Sequence, residues 1–196
     1  MINIYIKSIE GVSFGVAYDG ESVYATWFGP DELSALRGLL GSLPFGVPFQ
    51  QSEKASAFAE RAVVAVKDIY GGKDASPDFS LTTKHLPDYT RRVIEATYLI
   101  PTGYVTSYGL IAKAVGGGPR AVGNVMAMNP FAPIVPCHRV VRTDFTLGGY
   151  GGGLGVKLQI LKREKRGYTS EKEIPVDGKK LRLFPVEFLL GKLSEA

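Results

Sequence analysis

Three runs at residues 2–8, 12–18 and 23–28 alternate apolar and polar side chains, and only short polar turns separate them. A period of two puts every second side chain on the same face, which is how a β-strand lays one wall against a core. Glu10-Gly11 and Asp19-Gly20 stand between the runs. Asp-Gly suits the positive φ angles of a tight hairpin, so the three runs are expected to pair as an antiparallel meander. Such a sheet needs a cover for its apolar face. Residues 52–70 can supply one, since Ala55, Phe58, Ala62, Val63, Val66 and Ile69 recur at helical spacing. Ser52 is placed to cap this helix and Gly71-Gly72 to end it. Residues 71–86, rich in Gly, Pro, Ser, Asp and Thr, read as a linker. The expectation is a first domain over residues 1–80 and a second over residues 81–196.

The second part begins with helices. Tyr89, Val93, Ala96 and Ile100 mark one that Pro101 closes. Thr106 or Ser107 can cap another through Leu110, Ile111 and Ala114, which Gly116-Gly117-Gly118 breaks. Pro119 suits a first helical position, and Val122, Val125 and Met126 follow on one face. Two short helices joined by a glycine turn match the helix-turn-helix pattern. Charge agrees with that reading. Residues 1–87 hold seven Lys or Arg against ten Asp or Glu, and residues 88–196 hold 16 against nine. A basic half suits an anionic partner, of which nucleic acid is the commonest large one. Farther on, residues 154–166 read as a last helix with Leu158 and Leu161 inward, and 174–183 as a hairpin about Asp177-Gly178. No apolar run approaches the roughly 18 residues of a membrane span, and no export signal is visible, so a cytoplasmic protein is expected.

The chemistry concentrates at Pro136-Cys137-His138-Arg139, which holds the only cysteine and one of two histidines. One cysteine excludes an intrachain disulfide and a multi-cysteine zinc site. A lone cysteine is often a small buried apolar residue. Beside an imidazole, it is also a candidate nucleophile. The thiolate is the reactive form, so a working thiol needs a base or nearby cations, and His138, Arg139 and Arg142 are at hand. The β-branched pairs Ile134-Val135 and Val140-Val141 suggest a strand through this segment. In a strand, Cys137 and His138 point to opposite faces, so contact requires a backbone turn or a bridging water. An imidazole base also needs an orienting group, and Glu164 and Asp144 both qualify by spacing. The run Gly148-Gly149-Tyr150-Gly151-Gly152-Gly153 completes neither nucleotide-binding glycine pattern and reads as backbone that approaches a ligand closely.

The segment Pro136-Cys137-His138-Arg139-Val140-Val141 resembles the active-site signature of the O6-alkylguanine-DNA alkyltransferases, the methylated-DNA–protein-cysteine methyltransferases. Ile100-Pro101-Thr102-Gly103, Thr106-Ser107-Tyr108, Pro119-Arg120-Ala121-Val122-Gly123, Met126, Asn129-Pro130 and Gly148-Gly149-Tyr150 follow the family's order and spacing, over roughly residues 87–167. The resemblance implies an α/β (α+β) chain. A ribonuclease-H-like antiparallel sheet with a helix comes first, then a helix-turn-helix, winged-helix-like alkyltransferase domain.

It also implies a reaction. An alkyl group passes from O6 of guanine, and by extension O4 of thymine, in double-stranded DNA to Cys137, once per molecule. His138 acts as base through a water, and Glu164 orients it. Tyr108 bonds the flipped guanine and helps protonate it. Arg120 enters the duplex where the base had been, and Ser107, Pro119, Ala121 and Gly123 belong to the DNA-binding element. Asn129 anchors the turn under the active segment. The backbone of Cys137 and Val140 reads the guanine edge, while Met126, Tyr150 and Gly151 wall the pocket. Many relatives have Ser where Gly151 stands. Some hold zinc in the N-terminal domain, but this chain has no cysteine there and only His85, so no metal or other cofactor is expected. A monomer is expected. A helix-turn-helix regulator with an incidental thiol and a thiol hydrolase are the competing classes. The full signature around Cys137 weighs against the first, and the lack of any peptidase pattern against the second.

Overall fold

The computed structural model describes residues 1–20, 22–75 and 77–195. The chain forms two units: Met1–Tyr70, Ala75–Pro87 and Asn129–Ile134 in one, and Gly71–Asp74, Asp88–Met128 and Val135–Ala196 in the other.

In the first unit, β1 (Ile2–Ile9), β2 (Val12–Asp19) and β3 (Ser22–Gly29) form the expected antiparallel meander. Glu10 and Gly11 both take positive φ at the first turn, 52° and 79°. Two helices cover the sheet, where the sequence suggested one. α1 (Glu32–Ser42) starts at Asp31, whose carboxylate accepts the Ser34 N–H at 2.7 Å. It brings Leu39 onto Ile2, Ile4, Ala17 and Ala25. β4 (Phe49–Gln51) pairs in parallel with β1. α2 (Ala57–Tyr70) buries Phe58, Val63, Val66 and Ile69, and its rings meet those of β2 and β3: Phe58 on Tyr18, and Tyr70 on Phe14 and Phe28. With a cover on each face, β2 is buried from Ser13 through Tyr18 rather than on alternate residues. The cap of α2 is Ser56, whose hydroxyl accepts the Ala59 N–H at 3.1 Å, not Ser52. Ser52 instead extends the sheet, donating its N–H to the Ile4 carbonyl at 2.8 Å.

β5 (Ser80–Leu81) pairs in parallel with the far end of β3, giving the order β4-β1-β2-β3-β5. Thr26 of β3 has two further partners. Its N–H donates to Pro130 O at 2.8 Å and its hydroxyl to Ala132 O at 3.0 Å. These bonds place Asn129–Ile134 with the first unit, so a single cut at residue 80 does not describe the chain. Residues 75–87 likewise go with the first unit.

The second unit opens with α3 (Asp88–Tyr98) and β6 (Tyr104–Ser107), which leads directly into α4 (Tyr108–Val115). Ser107 is the cap, its hydroxyl accepting the Leu110 N–H at 3.2 Å. Gly116 and Gly117 turn the chain with φ of 93° and 80°, and α5 (Pro119–Ala127) follows with proline at its first turn. No side chain fits at Gly117, because a Cβ there would stand 2.5 Å from the Tyr89 hydroxyl. After a single 3-10 turn at Cys137–Arg139 come β7 (Val140–Val141), α6 (Leu154–Arg163), β8 (Lys172–Val176), β9 (Lys179–Pro185) and α7 (Val186–Ser194). The sheet order is β7-β6-β9-β8. Its hairpin turns on Asp177 and Gly178, both at positive φ, as Asp-Gly suggested. Val105, Val141, Leu161, Val186 and Leu189 form its core. α6 buries Lys157, Ile160 and Leu161, while Leu158 is half-buried.

Candidate active site

Cys137 does not lie on a strand. Pro136 has φ −80° and ψ 65°, and the Cys137 N–H donates to Val135 O at 2.8 Å, which closes an inverse γ-turn on the proline. The Arg139 N–H then donates to Pro136 O at 2.8 Å to close the 3-10 turn. The proline ring favours the φ of the first turn and has no N–H to satisfy there. Two tight turns in succession break strand alternation, so the opposed orientation expected of Cys137 and His138 on a strand does not apply.

His138 is fully buried, and its Nε2 lies 2.8 Å from Glu164 Oε1. Glu164 caps the end of α6 and is also fully buried. Arg139 meets the same carboxylate, with Nε 2.9 Å from Oε2 and Nη2 2.8 Å from Oε1. Its remaining donors reach Ile100 O at 2.6 Å and Thr102 Oγ1 at 3.0 Å. Arg139 therefore serves the carboxylate, not the thiol as its neighbourhood in sequence suggested. Burial pushes the Glu164 carboxyl up, but His138 and Arg139 outweigh it and hold the group down at about 2. Burial pushes His138 below its ordinary value, and the pull of Glu164 does not restore it. An ionised carboxylate can only accept, so Nε2 carries the proton and Nδ1 keeps its lone pair. Nδ1 is buried and meets no hydrogen-bonding group among the described residues. Asp144, the other orienting candidate, turns its carboxylate to Thr146 instead.

Cys137 opens onto a cavity of about 550 Å³. Tyr108, Pro119, Arg120, Gly123, Met126, Ala127, Arg142 and the loop from Gly148 to Gly151 line the rest of it. Tyr108 begins α4, and the glycine loop passes over it. A Cβ at Gly148 would stand 2.8 Å from the Tyr108 hydroxyl, and φ there is 68°, so both space and backbone demand glycine. Burial first, and then a Cys137 thiolate, push the Tyr108 phenol above its ordinary value, which keeps its proton in place near neutral pH. Tyr150 sets its ring edge-on to His138, with centroids 6.5 Å apart.

One cation at this site escaped the sequence reading. Lys157, on the inward face of α6, is fully buried, and its ammonium donates to Val140 O at 2.7 Å, Leu147 O at 2.5 Å and Gly149 O at 3.2 Å. All three donors are used, and they tie the segment after Cys137 to the glycine loop. Burial pushes Lys157 down to about 8, and attraction to a Cys137 thiolate works against that shift. The available signal was its position three residues before Ile160 and four before Leu161, on the apolar face of α6.

Of the anticipated residues, Cys137, Tyr108, Arg120, Pro119, Gly123, Met126, Tyr150 and Gly151 meet at the cavity, with His138 and Glu164 joined to each other. Ser107 and Ala121 do not line it: Ser107 is the buried cap of α4, and Ala121 is half-buried on α5. Val140 is not part of the cavity wall either. Its N–H bonds the Cys137 carbonyl, and its own carbonyl accepts from Lys157. Asn129 accepts the Phe131 N–H at 3.0 Å within the first unit, a local turn bond of the kind anticipated. Ala127, Arg142, Gly148 and Gly149 complete the lining.

Residues 88–166 match the family described as 6-O-methylguanine DNA methyltransferase, DNA binding domain. A methylated-DNA–protein-cysteine methyltransferase of Pyrobaculum aerophilum is 57% identical over 65 residues, which is 33% of this chain and 44% of that protein. The homologue of Mycolicibacterium paratuberculosis bearing the same name is 40% identical over 117 residues, 59% of this chain and 70% of that protein. The chain spans about half the length of most curated relatives it matches. Among solved structures, the Mycobacterium tuberculosis O6-methylguanine methyltransferase is 29% identical with a TM-score of 0.64, covering 84% of this chain and 93% of that one. A DNA complex of the M. tuberculosis protein aligns with a TM-score of 0.65 at 27% identity, covering 83% and 92%.

Proposed function

This chain belongs to the methylated-DNA–protein-cysteine methyltransferase family, and on that premise we propose that it repairs double-stranded DNA by moving the alkyl group of O6-alkylguanine onto Cys137. One observation carries the reading. The sole cysteine opens onto a cavity of about 550 Å³, within the range of small-ligand sites, together with Tyr108, Arg120 and a close-passing glycine loop.

The base leaves the duplex to reach this cavity, at a cost of a few kcal/mol that is least for a weakly paired lesion. Arg120, exposed at the start of α5, takes its place in the stack. The thiol proton passes through a water to Nδ1 of His138, which burial keeps neutral and whose tautomer Glu164 sets. The thiolate attacks the alkyl carbon. An S–C bond forms as the C–O6 bond breaks, the electron pair stays on guanine, and the Tyr108 hydroxyl supplies a proton to the base. Solvent then returns a proton to Tyr108 and takes, through the bridging water, the proton held on His138. Met126, Tyr150 and Gly151 bound the base, and Asn129 steadies the turn before the active segment. The same chemistry extends to O4-alkylthymine. A thioether is not hydrolysed, so each chain acts once, as a monomer in the cytoplasm.

Duplex DNA carrying radiolabelled O6-methylguanine tests this. The expected result is one label per chain, on Cys137. Label acquired by Cys137→Ala, or several turnovers per chain, would overturn the reading, and binding without transfer would favour a regulator.

A further inference from the structure

Arg142 is among the residues that line the cavity with Cys137, is exposed, and its side chain makes no hydrogen bond or ion pair among the described residues. The contrast with Arg139, three residues earlier, is complete, since Arg139 directs its donors to a carboxylate, a carbonyl and a hydroxyl. A cation at a ligand cavity whose donors are not taken up by protein hydrogen bonds is available to an anion of the ligand.

The segment that carries Arg142 is braced. Its N–H donates to Thr146 O at 3.0 Å, and its carbonyl accepts the Phe145 N–H at 3.0 Å. Asp144 points its carboxylate at the Thr146 N–H and hydroxyl, at 3.0 and 2.7 Å, and the Arg142 charge adds only a lesser pull on it. Phe145 takes φ of 61°, uncommon for a residue with a side chain, and its ring packs edge-on against Phe184 of β9 at 5.1 Å. Strained backbone held by its surroundings is a mark of a functional position. The segment also lies close to the helix-turn-helix. A Cβ built at Gly109 would stand 3.8 Å from Thr143 Oγ1 and 3.9 Å from Pro119 Cγ, so the start of α4, the start of α5 and the residue after Arg142 converge.

We infer that Arg142 is a phosphate-binding residue that grips the backbone of the lesion strand next to the extruded nucleotide. The inference rests on the repair reading and assigns a ligand to a group that the alkyl-transfer chemistry does not use. Guanidinium is suited to this, because its planar donors match two phosphate oxygens at once. A base drawn into the cavity carries its sugar and flanking phosphodiesters to the mouth, where they need a counter-charge.

The test uses the full chain and a duplex with one O6-methylguanine. Phosphates flanking the lesion are replaced one at a time by neutral methylphosphonate, for the natural protein and for Arg142→Ala and Arg142→Lys. Free O6-benzylguanine, which has no phosphate, is the second substrate. Removing the right phosphate is expected to weaken binding by the natural protein about tenfold while leaving Arg142→Ala little affected. Arg142→Ala is also expected to lower the slope of log affinity against log salt by about one, and Arg142→Lys to retain most of it. Its loss on DNA should exceed any loss on the free base by about tenfold. An unchanged salt slope, or equal losses on DNA and free base, would overturn the assignment. Equal losses would place Arg142 with Tyr108 in the chemistry. Failure of the natural protein to take label from DNA at all would instead sink the repair reading, so the two failures are distinguishable.

Discussion

The second unit holds charge in two opposite ways. Around Glu164 the charges are buried and fully engaged: one carboxylate serves both His138 and Arg139, and neither partner is more than 6% exposed. At the cavity, Arg120 and Arg142 are exposed and form no hydrogen bond or ion pair with a carboxylate among the described residues. Buried charges must be paired within the fold, because leaving one unpaired costs far more than the pair gains. Exposed charges can wait for a partner that arrives later. The first group therefore presets a tautomer and an orientation, and on the repair reading proposed above the second recruits a polyanion.

The contrast can be broken most sharply at the thiol itself. Cys137→Ala is expected to end label transfer while leaving binding to damaged duplex within a few-fold, since the thiol contributes chemistry rather than charge. Next comes Glu164→Ala, which strips the partner from His138 and Arg139 together. It is expected to cost on the order of 3–5 kcal/mol in denaturant unfolding and to slow single-turnover transfer by about 10²-fold or more. A variant that keeps its stability and rate would show that the buried cluster is incidental.

The pH dependence follows from the same cluster. Glu164 falls from its ordinary 4.5 to about 2 in the folded chain. Its contribution to stability is present above pH 4.5 and is lost as pH drops toward 2. His138 is lowered from 6.5, so transfer should hold its rate as pH falls through 6.5 and decline only below it. A rate midpoint above 6.5 would contradict a buried neutral base. Lys157→Met should loosen the Gly148–Gly149 turn and slow transfer, with a smaller loss of DNA binding, read by hydrogen exchange of that loop. The smallest effect is expected in the first unit. Lys7 and Glu60 bond at 3.0 Å but stand 43% and 38% exposed, so Lys7→Ala should leave transfer unchanged and alter melting only at low salt.

Much of the architecture was legible because it depends on neighbours in the chain. The meander follows from alternation and from Asp-Gly and Glu-Gly turns, a cap at one of the two hydroxyls Thr106 and Ser107 from their place before α4, and the start of α5 from Pro119. The elements overlooked were of another kind. α1 carries Gly38 and Gly41 within its run, and Gly38 has a packing reason: a Cβ there would lie 2.2 Å from the Trp27 ring. β4 and β5 are three and two residues long and exist only through the strands they pair with. α7 is anchored by Val186 and Leu189 in a core built from distant segments. At the site, the β-branched pairs about Cys137 suggested a strand, but Pro136 set two turns in their place.

The sequence alone determined the reagent and its setting: a single thiol beside an imidazole, after a helix-turn-helix, in the basic half of the chain. Those features are local patterns or simple counts, and both survive in a linear string. Spacing left Glu164 and Asp144 open and the family resemblance pointed to Glu164, but only tertiary structure decided that Arg139 is committed to that same carboxylate while Arg142 makes no such bond, and that Lys157 lies inside. The physical reason is desolvation. Burial makes the fold choose a partner for each enclosed charge, and which charges become enclosed is set by contacts between residues far apart in sequence.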